Sequence, residues 1–252
     1  MITLVLGSGG AKGLAHIGVL KRLEEKNIKP KLIIGSSMGA VVGAMYASGT
    51  KIETIEKAFL ELNSYKLLDF QGFNPGIMSG TKIRDFFKKY MKEDFKELDI
   101  KIKINAIDIN TGKEVILTKG NLIDSVLASM SIPGLFKPVT INGKELLDIG
   151  FTNPVPINLV KKAKEVIISD VSSELEKLPT KNTINILIQV FNISQKNAGE
   201  RTYKRYEKEL TGKVTYLRPK VGKYGLFDFV RKKQELEKII KEGYKEAKKN
   251  IR

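Results

Sequence analysis

A short segment at 35–39 places a serine in the setting that serine nucleophiles use. It follows a segment at 31–34, apolar from Leu32 onward, that predicts a buried strand, and a helical pattern begins at Met38. With Gly35 and Gly39 two residues to either side of Ser37, the spacing predicts a nucleophile elbow, a tight strand-to-helix turn that exposes the serine hydroxyl. The first amides of the helix would face negative charge forming beside that hydroxyl. The alternative is an ordinary glycine-rich turn.

A second glycine-rich segment, at 7–13, follows the first predicted strand and opens a helix, so its free amides form an anion cradle. A dinucleotide fingerprint is excluded because the spacing of Gly7, Gly9 and Gly13 is one residue too long and no acidic residue ends the second strand. A P-loop is excluded because Lys12 is followed by glycine rather than by Ser or Thr. The remaining use is an oxyanion hole, in which two glycine amides stabilise a developing alkoxide.

The histidine count limits the choice of a base for Ser37. The only histidine is His16, upstream of the serine, whereas an α/β-hydrolase triad places its histidine downstream. The surrounding pattern predicts that His16 is a helix residue packed beside the sheet, so the base should be a carboxylate or a lysine. Asp148 stands out because it ends a strand-like segment next to Gly150, where burial would raise its pKa as a general base requires. The alternative for Asp148 is a turn or cap residue.

The elements that position these residues alternate between strand and helix, which predicts a parallel sheet covered on both faces. The predicted strands are at 2–6, 31–34, 102–109, 114–118, 139–141, 145–147, 165–169, 184–190 and 214–217. The predicted helices are at 13–27, 38–48, 52–62, 82–91, 122–129 and 226–251. The segment 66–80 is expected to form either a mobile apolar loop near a site or a packed surface loop. No linker or repeat divides the chain, so a single domain over 1–252 is the simpler interpretation.

Composition narrows the class of protein. The hydrophobic content of 42% is that of a folded protein, and the absence of cysteine excludes disulfides and thiolate metal sites. The chain opens with a strand pattern rather than a signal peptide, and no apolar run approaches the roughly 18 residues needed to span a bilayer. We therefore expect a soluble, cytoplasmic protein, and no metal site or cofactor is predicted.

The net charge of +16 is unevenly distributed, since residues 201–252 hold 17 Lys/Arg against 7 Asp/Glu, a difference of +10. This asymmetry indicates either an anionic partner, such as a phospholipid surface or a nucleic acid, or the solvated surface of a lysine-rich, thermophilic or AT-rich proteome. No nucleic-acid motif is present, so nucleic acid is not expected as a partner. The last predicted helix, in the basic helical part 192–252, has one apolar face, which would lie in a membrane interface or dock on the core.

Together these segments resemble the patatin-like phospholipase family, in particular its bacterial single-domain members. The resemblance covers residues 4 to about 170 in four ordered blocks, at 7–20, 35–39, 128–139 and 148–156. It implies a three-layer α/β/α sandwich with a mostly parallel central sheet. It also implies a catalytic Ser-Asp dyad, which accounts for the missing downstream histidine.

By that resemblance, Ser37 corresponds to the nucleophile, Asp148 to the proton acceptor, and the amides of Gly9 and Gly10 to the oxyanion donors. The implied reaction is hydrolysis of a lipid ester through an acyl-enzyme, of the phospholipase A or lysophospholipase type, at an anionic membrane surface. Lys12 matches a position that is usually basic, where it would favour an anionic headgroup or anchor its loop. A catalytically weak regulatory or scaffolding protein and a lipid acyltransferase remain as alternatives.

Two positions depart from the family's pattern. Ser8 stands where the family's glycine motif begins, and its Cβ could shift the loop. Ile149 lies between Asp148 and Gly150, where the family has a glycine. If that position requires a positive φ, a β-branched residue would be strained by roughly 1 to 3 kcal/mol and would tilt the Asp148 carboxylate.

Overall fold

The computed structural model describes residues 1–62, 80–172, 175, 183–225 and 232–252. Within these ranges, eight strands form one sheet in the order β5-β6-β3-β2-β1-β7-β8, with β4 pairing to β3. The strands are β1 Ile2–Leu6, β2 Leu32–Gly35, β3 Lys101–Asp108, β4 Glu114–Leu117, β5 Val139–Ile141, β6 Lys144–Leu147, β7 Glu165–Ser169 and β8 Lys213–Leu217.

The sheet is mixed, because five strands are parallel and three are not. Strands β3, β2, β1, β7 and β8 run parallel, so their carboxyl ends meet at one side, which we call the carboxyl edge. Strands β3 and β4 form one antiparallel hairpin and β5 and β6 form another, and β6 also pairs antiparallel with β3. The turn between β5 and β6 uses Asn142 and Gly143 with φ of 50° and 75°, as a two-residue hairpin requires.

Seven helices are described around this sheet. They are α1 Ala15–Glu25, α2 Met38–Ala47, α3 Ile52–Leu60, α4 Thr81–Lys88, α5 Leu122–Met130, α6 Thr183–Tyr206 and α7 Lys233–Asn250. None of these helices is both long and apolar enough to cross a membrane.

The helices cover both faces of the sheet, which confirms the predicted three-layer arrangement. Successive side chains of a strand point to opposite faces. In β1, Leu4 and Leu6 belong to a large core that also contains residues of α1, α2, α5 and α7. Val5 belongs to a second core on the other face, which tyrosines of α6 help to cover.

Helix α7 docks on α1 at a point where two glycines let the backbones approach. A Cβ at Gly243 would lie 1.9 Å from the Ala15 carbonyl oxygen, and one at Gly18 would lie 2.0 Å from that of Ile240. The apolar face of α7 is therefore buried, and the docking interpretation holds for the described part of this helix. The predicted helix residues 226–231 lie outside the described residues.

The strand predicted at 184–190 is wrong, because these residues belong to α6. The segment is a short apolar run rich in β-branched residues, which is typical of a buried parallel strand and of a helix segment alike. Several of its large apolar side chains are exposed on the helix instead of buried in the sheet. The predicted loop at 66–80 lies outside the described residues except for Gly80, which precedes α4.

Candidate active site

Ser37 occupies a strained strand-to-helix turn between β2 and α2. Its φ of 51° and ψ of −121° lie in a region that non-glycine residues rarely adopt, at a cost on the order of 1–3 kcal/mol. A Cβ at Gly35 would lie 2.6 Å from the Ala40 Cα, and one at Gly39 would lie 2.1 Å from the Leu6 carbonyl oxygen. The structure therefore has the predicted tight turn, at which only glycine fits on either side of the serine.

Asp148 directly follows β6 and is fully buried. Its Oδ1 accepts a 2.6 Å hydrogen bond from the Gly150 amide. Burial raises the pKa of the Asp148 carboxyl to about 6, although interaction with the Ser37 hydroxyl and the Gly150 amide lowers it. Among the described residues, Oδ2 has no hydrogen-bond partner of normal geometry. The Ser37 hydroxyl interacts with the Asp148 carboxyl, while Oδ2 receives no hydrogen bond from the described residues.

The end of α5 holds the backbones of both residues. The Ser37 amide donates a 2.9 Å hydrogen bond to the Ser129 Oγ. Two residues further along, the Ser131 carbonyl accepts a 2.9 Å hydrogen bond from the Asp148 amide. One short segment of chain therefore fixes the positions of Ser37 and Asp148 relative to each other.

Ile149 shows none of the backbone strain that its sequence position raised as a possibility. The non-glycine residues with a positive φ in the described chain are Asn27, Ser37 and Asn142, so Ile149 adopts an ordinary conformation. Its side chain is 2% exposed and fills part of the protein interior. Because Ile149 has no positive φ, the backbone strain that would tilt the Asp148 carboxylate is absent.

The glycine cradle lies directly against the serine turn. A Cβ at Gly13 would lie 2.4 Å from the Met38 Cγ, so the cradle packs on the first residue of α2. Gly10 has a φ of 54° and begins a short 3-10 helix, Gly10–Leu14. The amides of Gly9 and Gly10 take part in none of the hydrogen bonds formed between described residues. They are available as donors at the carboxyl edge, where Ser37 also lies.

Ser8 is accommodated by a polar contact with α6. Its Oγ accepts a 2.7 Å hydrogen bond from the Gln195 side chain, and its amide donates a 2.8 Å hydrogen bond to the Pro154 carbonyl. A Cβ at Gly150 would lie 2.7 Å from the same Ser8 Oγ, so the cradle and the segment after Asp148 are packed together. Lys12 of the cradle is buried, with 2% of its side chain exposed.

His16 is a fully buried helix residue beside the sheet, as predicted. Its Nε2 donates a 2.8 Å hydrogen bond to the Gly7 carbonyl, which leaves Nδ1 to accept one of 2.9 Å from the Ser169 hydroxyl. Burial lowers the pKa of His16 to about 4, although the Gly7 hydrogen bond and the charge of Asp170 raise it. A neutral His16 therefore holds the start of the glycine cradle.

Sequence reasoning missed three residues that support this site. Ser129 lay within a matched block, but its type and position did not reveal a contact with Ser37. Ser169 ends a correctly predicted strand, and its hydrogen bond to His16 depends on the fold. Gln195 follows the segment wrongly assigned to a strand, so its approach to Ser8 could not be foreseen.

Comparison with known proteins gives consistent results at the levels of sequence and fold. The sequence model of the family described as patatin-like phospholipase matches residues 4–161. An uncharacterized NTE family protein of Mycobacterium tuberculosis is 36% identical over 159 residues, which are 62% of this chain and 44% of that protein. The lysophospholipase NTE1 of Candida albicans is 29% identical over 280 residues, covering 98% of this chain and 20% of its own length.

The chain thus spans less than half the length of these curated relatives. Among solved structures, VipD from Legionella pneumophila has the same fold, with a TM-score of 0.67. It shares 13% sequence identity, and the match covers 98% of this chain and 66% of that chain.

Proposed function

The chain belongs to the patatin-like phospholipase family, and from this premise we propose that it is a serine hydrolase of lipid carboxylic esters. The observation that carries the proposal is the placement of the Ser37 hydroxyl beside a buried carboxyl. Asp148 keeps one carboxyl oxygen without a hydrogen-bond partner among the described residues, and its pKa is raised to about 6. A buried carboxylate with this pKa is ionised near neutral pH and able to accept a proton.

In the proposed first step, Asp148 accepts the Ser37 proton while the Ser37 Oγ attacks the ester carbonyl carbon. The amides of Gly9 and Gly10 would stabilise the negative charge that develops on the carbonyl oxygen. The tetrahedral intermediate then collapses, the bond to the alcohol oxygen breaks, and the leaving alcohol takes the proton from Asp148. The acyl group remains on Ser37 as an ester.

In the second step, a water molecule gives a proton to Asp148 and attacks the acyl-enzyme carbonyl. Collapse of this second intermediate releases the fatty acid and returns the proton to the Ser37 oxygen, so atoms and charges balance over the cycle. Because a carboxylate acts as the base, no histidine is required. The neutral His16 supports the cradle and takes no part in proton transfer.

The proposed substrate class is a phospholipid or lysophospholipid, through phospholipase A or lysophospholipase activity. It is supported by the family and by a relative named a lysophospholipase that aligns along 98% of this chain. Transfer of the acyl group to another alcohol would pass through the same acyl-enzyme. Product analysis with an added acceptor alcohol separates transfer from hydrolysis.

Labelling with a fluorophosphonate, combined with hydrolysis of a water-soluble nitrophenyl ester, tests the proposal. We expect Ser37→Ala to abolish both signals and Asp148→Asn to remove turnover while the fold is kept. Ser36→Ala is the matched control, because the Ser36 Oγ is buried and has no hydrogen-bond partner among the described residues. Labelling that persists in Ser37→Ala would refute the assignment, and turnover that survives in Asp148→Asn would require another base.

A further inference from the structure

The first half of α6 exposes a continuous apolar surface, which we call the α6 stripe. It consists of Ile186, Leu187, Val190 and Ile193, whose exposed fractions are 46%, 63%, 55% and 40%. At 3.6 residues per turn, these four positions lie within about a third of the helix circumference. Isolated exposed apolar residues are normal on a protein surface, but a clustered group marks an interaction surface.

The surroundings of the stripe on α6 also lack charge. No residue from 183 to 195 is charged, and the first charged residue of the helix is Lys196. The solvent-facing side of a surface helix ordinarily carries charged and polar residues. This half of α6 is therefore suited to a surface that excludes water.

The stripe lies beyond the carboxyl edge of the sheet, close to the candidate active site. Helix α6 connects β7 to the parallel strand β8, so it begins at the carboxyl edge. Gln195 marks the level of the glycine cradle, because its side chain donates to the Ser8 Oγ. The stripe residues precede Gln195, so a helical rise of 1.5 Å per residue carries them about 3 to 14 Å past that level.

Exposed lysines occupy the same end of the molecule. Strand β8 ends at the carboxyl edge, and Lys220 and Lys223 follow it. Helix α7 runs in the same direction as α1, so Lys232 and Lys233 at its start also lie toward this end. Basic residues at the end of a molecule that carries an exposed apolar surface are attracted to the anionic headgroups of a phospholipid bilayer.

We propose that the α6 stripe inserts into the headgroup region of an anionic phospholipid bilayer and holds the candidate active site against the membrane. The part of this inference that concerns substrate delivery rests on the proposed lipid hydrolase function. Membrane binding itself does not, because it depends only on the stripe and on the lysines at the same end of the molecule. Binding of this kind strengthens with the apolar area that leaves water and with attraction to anionic lipids.

The test measures co-sedimentation with vesicles of phosphatidylcholine and phosphatidylglycerol. The full chain carries Ser37→Ala in every sample so that no lipid is consumed. We expect Leu187→Gln/Val190→Gln to lower the vesicle partition coefficient by about tenfold or more, because two exposed apolar side chains no longer leave water. Both substitutions are on an exposed helix face and preserve charge, so circular dichroism and unfolding should match the parent.

The matched control is Ile116→Gln/Val214→Gln, which changes two exposed apolar residues outside α6. Their exposed fractions are 37% and 36%, and we expect unchanged vesicle binding. With the native Ser37, the stripe variant should hydrolyse a water-soluble ester at the parent rate but lose activity toward lipid in vesicles.

Three results would overturn the inference. They are failure of the parent chain to bind the vesicles, an equal loss of binding in the control variant, and a parent dimer that the stripe substitutions convert to a monomer. The last result would identify a second copy of the chain as the occupant of the stripe. If the vesicles are bound but no ester is hydrolysed, only the proposed function fails.

Discussion

The backbone amide of Ser37 donates a 2.9 Å hydrogen bond to the Ser129 side chain at the end of α5. Ser37 is held at a φ of 51°, and such a conformation persists only where its surroundings determine it. The next residue but one after Ser129 binds the Asp148 amide through its carbonyl. Helix α5 therefore supports both members of the proposed dyad, and Ser129 is a positioning residue.

We expect Ser129→Ala to lower both stability and turnover. Removing the acceptor leaves the buried Ser37 amide unpaired, which should reduce the free energy of unfolding by about 1–3 kcal/mol. Loss of this hydrogen bond should also lower kcat on a soluble ester more than it changes KM, because the hydroxyl of Ser37 moves relative to the ester carbonyl of the substrate. Urea unfolding and steady-state kinetics measure the two effects.

Ser125→Ala is the matched control, since the Ser125 hydroxyl bonds to the Asn121 carbonyl near the start of the same helix. This variant should keep kcat close to that of the parent. A Ser129→Ala variant that is destabilised but turns over normally would show that the hydrogen bond matters for folding alone.

The dependence of activity on pH should identify Asp148 rather than His16 as the base. The pKa of Asp148 is about 6, so kcat/KM on a soluble ester should rise as the pH increases through that value. A free histidine would give a similar inflection, but the pKa of His16 is lowered to about 4. His16→Gln should therefore retain the inflection near pH 6, even if its rate falls because the Gly7 carbonyl is held less firmly. Disappearance of the inflection in this variant would assign the base to His16.

Local patterns were sufficient to predict the serine turn, the glycine cradle and most of the elements around them. These features depend on glycine spacing and hydrophobic periodicity over a few residues, which the sequence displays directly. The contact between Ser37 and Ser129 joins residues 92 positions apart, and no local pattern specifies it. The same holds for Gln195 and Ser8, which are 187 positions apart.

The error at 184–190 has a different physical origin. An apolar run indicates that a segment avoids water, but it does not indicate what covers the segment. The pattern predicts a buried strand only if the sheet is the surface that covers the segment. In the structure, α6 turns Leu187 and Val190 outward, and it is this exposure that supports a membrane as the covering surface.

The stability of the protein should depend on pH through two buried groups that act in opposite directions. Asp148 holds its proton more tightly in the folded state than in the unfolded state. Its stabilising contribution to the free energy of unfolding is therefore complete below pH 3.8 and is lost as the pH rises through about 6. His16 holds its proton less tightly, so its contribution is complete above pH 6.5 and is lost as the pH falls to about 4. Between about pH 4 and 6 the contribution of Asp148 falls with rising pH while that of His16 grows, so the two changes in the free energy of unfolding partly cancel.

Each substitution should reveal the effect of the remaining group. The free energy of unfolding of Asp148→Asn should rise with pH more steeply than that of the parent over this range, because only the His16 contribution remains. The free energy of unfolding of His16→Gln should rise with pH less steeply than that of the parent, or fall, because only the Asp148 contribution remains. Urea titrations at several pH values measure both slopes, and parallel curves for all three proteins would contradict the pKa values of these buried groups.

Ile149 provides a test of whether the departure from the family's glycine impairs the site. The residue is 2% exposed and has no positive φ, so glycine would relieve no strain at this position. We expect Ile149→Gly to lower the free energy of unfolding by about 2–5 kcal/mol, through loss of a buried side chain and greater freedom of the unfolded chain. Turnover should fall as well, because the backbone next to Asp148 is loosened. Ile149→Val, which removes one methylene group, should cost only about 0.5–1.5 kcal/mol and keep the parent turnover. An Ile149→Gly variant that turns over faster than the parent would mean that the isoleucine displaces the Asp148 carboxylate from its productive position.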